Sequence, residues 1–210
     1  MSAPVLEPQF GSHAQQDYAR SFGMWVFLSS ELLFFGPLLF GYLYLRMHHP
    51  EATGMASRHT DMLLGTVNTA VLLTSSFVMA LAGHAAQGQD RRRAARLLAL
   101  TALLGVVFLA IKGYEWHQEF AEHLFPGTGF HPSDGRDPGT VYGMELFFLL
   151  YFAATGLHAL HLFIGVSACL WLMRAPRGEA VELAGLYWHF VDVVWIVLYP
   201  LLYLTLRSGG

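Results

Sequence analysis

The sequence predicts an all-α membrane protein, a five-transmembrane-helix bundle. Three observations carry that prediction: five long apolar runs, no alternating pattern within them, and charges confined to the stretches between them. Of the 210 residues, 54% are hydrophobic and 13% charged, against about a quarter charged in soluble domains. A hydrocarbon core about 30 Å thick takes about 20 helical residues to cross. Only helices and closed barrels satisfy their backbone in lipid, and runs of this length without period-2 alternation favour helices. The net charge of -3 and the lack of a basic stripe exclude nucleic acid as a partner.

Residues 1–21 form a polar N-terminal segment holding Glu7, Asp17 and Arg20. It lacks the basic start and apolar core of a signal peptide, so the first run is expected to remain as a spanning helix. The runs cover about 22–45, 62–82, 95–113, 142–173 and 184–206, within a single domain over 22–207. The fourth is long for a bilayer and is expected to tilt. Its small residues Ala153, Ala154, Gly156, Ala159, Gly165 and Ala168 favour close helix contact. Between the runs lie Arg46 to Asp61, Gly83 to Ala94, Arg174 to Leu183, and a longer Gly-, Pro- and acid-rich connection from Tyr114 to Thr140. The lone cysteine, Cys169, reads as a small buried residue.

Arginine and lysine placement sets the orientation. Arg20, Arg91, Arg92, Arg93, Arg96, Arg174 and Arg177 fall on one side; Arg46, Arg58, Lys112, Arg136 and Arg207 fall on the other. The compact cluster in the second connection places the N-terminus in the cytoplasm and the C-terminus outside.

Ionisable groups inside a spanning helix are costly and each invites a reason. Glu31 lies about 13 Å into the first helix; His189 and Asp192 lie about 8 and 12 Å into the fifth, from the same side. His161, on the inward-running fourth helix, falls somewhat deeper. These four are candidates for one interhelical polar cluster, structural or protonatable. His158 and His161 share a helix face but lack the further ligands a metal site needs. On the outer side, Lys112, Glu115 and Glu145 share a depth, where surface pairing of little weight is expected. Tyr42, Tyr44, Trp116 and Tyr203 read as interfacial anchors.

Four segments carry a family resemblance: GMWVFLSSELLFFG (23–36), NTAVLLTSS (68–76), GLHALHLFIG (156–165) and YWHFVDVVWIVLY (187–199). In this order they resemble subunit III of cytochrome c oxidase. The resemblance implies helices in two groups around a V-shaped, lipid-holding cleft. It implies no cofactor in this chain, haem and copper in partner subunits I and II, and bound phospholipid. The S-E-x-x-F-F carboxyl of the family maps onto Glu31, which is carbodiimide-reactive in relatives. His158, His161, Trp188, His189 and Asp192 stand at family-typical positions, and Asn68, Glu115 and Tyr187 belong to its structural motifs. The implied role is to sustain proton uptake by the catalytic subunit and protect it from turnover inactivation, in a bacterial inner membrane. Many relatives have two further helices at the start. Five-helix versions also occur in quinol oxidases, and a related accessory protein goes with nitric oxide reductases. Glutamate at position 31 leans toward the cytochrome c branch. An autonomous proton or ion transporter, and an enzyme with its own metal at His158 and His161, are the competing readings.

Overall fold

A computed structural model describes residues 8–132 and 137–204, apart from the side chain of Asp17. Glu7, Arg136, Arg207 and the end of the fifth run at Leu206 lie outside the described residues. The described chain forms α1 (His13–His48), α2 (Pro50–His59), α3 (Met62–Gln87), α4 (Arg91–Ala121), α5 (Pro138–Leu172) and α6 (Gly178–Tyr199), closed by a π turn over Pro200–Leu204. Five of these are long and apolar enough to cross a membrane: α1, α3, α4, α5, and α6 with its π turn.

Four helix starts are fixed by side-chain caps that satisfy otherwise orphaned backbone N–H groups. Ser12 accepts from Gln15 N, Asp61 from Leu63 N and Leu64 N, Asp90 from Arg93 N, and Asp137 from Thr140 N. These caps explain why α1 and α4 begin before their apolar runs: a polar turn can be helical when its ends are bonded. At the other end, Pro200 has no N–H for the carbonyl four residues earlier, and the ladder shifts to π there.

Helices α3, α4, α5 and α6 form a closed ring, each packed on its neighbours, and α1 leans on α5 and α6 from outside. Only 17% of the most apolar stretch of α1 is buried, against 50% for α6. Helix α1 therefore shows most of its apolar surface to lipid or to a partner.

Two connections hold more helix than their apolar runs mark out. The connection after the first spanning helix is not wholly irregular but contains α2. Its Pro50 suits a first helical turn, and its small residues Ala52, Thr53, Ala56 and Ser57 are buried. Gly143 of α5 lets it approach: a Cβ there would stand 2.6 Å from Ala52 Cβ. Second, α4 does not stop near 113 but continues to Ala121. Lys112, Glu115 and Glu119 follow one another at helical spacing, so the extension turns all three toward the bundle.

Candidate functional site

Helix α1 contributes Glu31 and α5 contributes His161, and the two side chains meet: Glu31 Oε2 lies 2.8 Å from His161 Nε2, with 13% and 9% of each side chain exposed. The other ring nitrogen, Nδ1, lies 2.7 Å from the Leu157 carbonyl. A carbonyl only accepts, so Nδ1 carries a proton. A neutral imidazole protonated at Nδ1 leaves Nε2 as an acceptor. The Nε2–Oε2 contact then needs one proton, held either as a carboxylic acid against imidazole or as a carboxylate against imidazolium. Phe35 covers the imidazole at 5.4 Å between ring centres, and Tyr187 donates to the His161 carbonyl at 3.0 Å, tying α6 to the same turn of α5.

The expected four-residue cluster divides along its hydrogen bonds. His189 Nδ1 shares a 2.7 Å bond with the Ser76 hydroxyl of α3 rather than with Glu31 or His161. Asp192 is buried, and neither of its oxygens is in hydrogen-bond geometry, although the same Ser76 stands beside it. The facing was not legible in the sequence, because α6 turns these residues toward α3 while α1 and α5 close on each other. His189 also borders an apolar groove of about 420 Å³ between α1 and α6, and a cavity of about 300 Å³ with mixed lining between α3 and α6 near Gln87 and Glu182.

His158 is buried between Phe108 and Trp195, at 5.4 and 5.0 Å between ring centres, with neither nitrogen bonded. It shares no partner with His161. Among the described residues, no three His, Cys, Asp or Glu side chains are grouped to hold a metal ion. Trp188 donates to Ser75 at 3.1 Å and Trp195 to Thr69 at 3.1 Å, two tryptophan bonds that fasten α6 to α3. Asn68 is buried in α3 with its amide unbonded.

The outer polar group differs most from expectation. Lys112 and Glu115 are not a surface pair: their side chains are 3% and 2% exposed, with Nζ 3.0 Å from Glu115 Oε2. Lys112 also donates to the hydroxyls of Tyr151 and Tyr203 at 2.6 Å each, and both tyrosines donate to Glu115 Oε1, at 3.0 and 2.7 Å. Glu145 is elsewhere, accepting from Gly127 N. Tyr203 and Tyr42 are therefore core residues, Tyr42 donating to the Leu201 carbonyl; of the supposed tyrosine anchors only Tyr44 is exposed. Glu119, which the sequence reading passed over, is buried beside this group with both oxygens unbonded. Its signal was available: Glu119 lies seven residues after Lys112, two turns along one helix face.

Polar groups bonded across helices inside an apolar bundle of five spans, four in a ring and one against it, define a polytopic helical membrane protein. The cytochrome c oxidase subunit III family model matches residues 8–206. Cytochrome c oxidase subunit 3 of Thermostichus vulcanus is 34% identical over 209 residues, covering 93% of this chain and 92% of the relative. The protein of the same description from Synechocystis sp. is 34% identical over 203 residues, covering 92% and 78%. The heme-copper oxidase subunit I+III of Aeropyrum pernix is 31% identical over 209 residues, 90% of this chain but 23% of that longer protein. The chain belongs to the cytochrome c oxidase subunit III family and is a subunit III of the haem-copper oxidases.

Proposed function

We propose that this chain sustains proton supply to the catalytic subunit of a haem-copper oxidase through the proton held between Glu31 and His161. The single observation that carries the reading is the 2.8 Å Oε2–Nε2 contact backed by Nδ1 on the Leu157 carbonyl. A proton held between two groups of this kind, in a helix that leaves most of its apolar face uncovered, is positioned to exchange near a partner's surface. Haem and copper then belong to subunits I and II. An association with subunit I is supported by the Aeropyrum pernix relative, described as subunit I+III in one chain. The relatives described as cytochrome c oxidase subunit 3 favour cytochrome c over quinol as donor. The N-terminus and the arginine-rich turns face the cytoplasm of a bacterial inner membrane, and the α1–α6 groove, lined by Leu28, Leu32, Phe35 and Val193, suits a phospholipid acyl chain. Division of the buried groups into separate contacts argues against a continuous ion path and so against an autonomous transporter.

Glu31→Gln tests the reading. The amide can still donate to His161 Nε2, so geometry is retained while the transferable proton is lost. The oxidase complex carrying E31Q is expected to start turnover at the wild-type rate and to decay over fewer turnovers. Wild-type persistence of activity in E31Q overturns the proposal.

A further inference from the structure

At the end of the bundle that holds the α3–α4 and α5–α6 turns, six arginines project: Arg91, Arg92, Arg93, Arg96, Arg174 and Arg177, all exposed. The two turns form one surface, because Gly178 sits against the Ala86 carbonyl and Gln87, with ideal Cβ distances of 3.5 and 3.6 Å. The acids of this rim are engaged elsewhere. Glu179 pairs with Arg20, Asp90 caps α4 through Arg93 N, and Glu182 accepts from Gln87. Among the described residues, none of the six guanidinium groups meets a carboxylate. Arg96 Nε and Arg174 Nη1 instead lie on carbonyls of their own helices, Arg92 O and Leu170 O.

The three arginines opening α4 also run against its dipole, whose positive end is disfavoured by cations. The rim therefore keeps an excess of positive charge, six guanidinium groups against the carboxylates of Asp90 and Glu182, and an external anion is the natural complement. Apolar surface indicates which anion. Below Arg96, at helical spacing on the same face, lie exposed Leu100 and Leu103; directly before Arg174 lie exposed Leu170 and Trp171. Guanidinium groups standing over lipid-facing apolar stripes, with a tryptophan at the boundary, match a phospholipid rather than a soluble acidic protein.

We propose that this rim is an anionic-phospholipid surface, with phosphate headgroups on Arg92, Arg96 and Arg174 and acyl chains along the exposed stripes of α4 and α5. It is separate from the α1–α6 groove and does not depend on the role assigned to Glu31. Each basic residue at a membrane surface contributes about a five-fold preference for anionic lipid, reduced by salt.

The test is native mass spectrometry of the detergent-purified full chain, titrated with phosphatidylglycerol or with phosphatidylcholine of the same acyl chains. The wild-type chain is expected to prefer phosphatidylglycerol by at least about ten-fold at low salt. R92Q/R96Q/R174Q is expected to lose most of that preference, R92K/R96K/R174K to keep it, and R46Q, at the opposite end, to leave it unchanged. Circular dichroism confirms that each variant is folded, and the charge-retaining lysine variant separates lost headgroup binding from a disturbed helix end. Equal binding of the two lipids by the wild-type chain overturns the proposal and leaves the rim for an acidic protein. So does an unaltered preference in the glutamine variant. Displacement of the lipid by equimolar inorganic phosphate shows that the apolar stripes contribute nothing and overturns it as well.

Discussion

Glu31 and His161, 130 positions apart in sequence, are joined by a 2.8 Å contact that locks α1 onto α5. The lock needs a proton. With Nδ1 committed to the Leu157 carbonyl, removing the proton leaves carboxylate oxygen and imidazole nitrogen as two facing acceptors, which repel. On the proposed reading, this one of several contacts holding α1, beside Arg20 on Glu179 and Tyr42 on the Leu201 carbonyl, is coupled to proton occupancy.

That coupling gives a spectroscopic expectation. Infrared difference spectra of the complex, with and without E31Q, are expected to show one carboxyl or imidazolium band lost in the variant. His161→Ala removes the partner and is expected to loosen α1, read as faster amide exchange along 25–40, whereas E31Q leaves exchange near the wild-type rate. Unchanged exchange in H161A would falsify the lock.

The Lys112 group makes unequal demands on its members. Lys112→Met leaves Glu115 and Glu119 buried without their cation, and breaking a buried pair costs about 3–5 kcal/mol. Glu115→Gln keeps a carbonyl oxygen for the Tyr151 and Tyr203 hydroxyls and leaves Glu119 as a carboxylate near the Lys112 ammonium, so its cost is expected to be smaller. Unfolding of the two variants in mixed detergent measures the difference. Equal destabilisation contradicts the geometry, and no effect from K112M would place the ammonium at the surface after all.

Close helix approach is tested at Gly105. A Cβ there would stand 2.7 Å from Val166 Cγ2 and 2.9 Å from the Trp188 ring. Alanine gains about 1 kcal/mol in helix propensity over glycine, but overpacking costs about 1–3 kcal/mol. Gly105→Ala is therefore expected to be neutral to destabilising. Gly113→Ala, in the same helix with open space around it, is expected to stabilise by up to about 1 kcal/mol. Thermal unfolding of the pair reads the contrast, and equal gains would show that α4 has room at Gly105.

Asp137 gives a pH dependence outside the spanning segments. Its side chain accepts from the Thr140 hydroxyl at 2.6 Å and the Thr140 N–H at 3.0 Å, and these bonds hold its carboxyl below the usual range. A lowered folded-state pKa means that the cap's contribution is present above the unfolded value and is lost as pH falls through the folded one. Exchange of the Thr140 amide is expected to be faster in Asp137→Ala at neutral pH, with the difference from wild type vanishing in acid. A difference that persists in acid assigns the protection to something other than the carboxylate.

The helical membrane class was determined by the sequence alone, because lipid leaves a backbone few solutions and five apolar runs leave fewer still. The level of Glu31 and His161 along the bundle was an expectation of the same kind, since a helix rises by a constant amount per residue, and their side chains meet. What the tertiary structure decided was facing. Rotation and tilt of each helix come from packing, such as Gly105 against Val166 and Trp188, and not from apolar length. That is why His189 meets Ser76 while His161 meets Glu31, and why Lys112 lies inside rather than at the surface. A run of hydropathy ends where polar residues begin, so α4 looked finished at 113; burial of Lys112, Glu115 and Glu119 against Tyr151 and Tyr203, residues from distant parts of the chain, is what carries the helix on to Ala121.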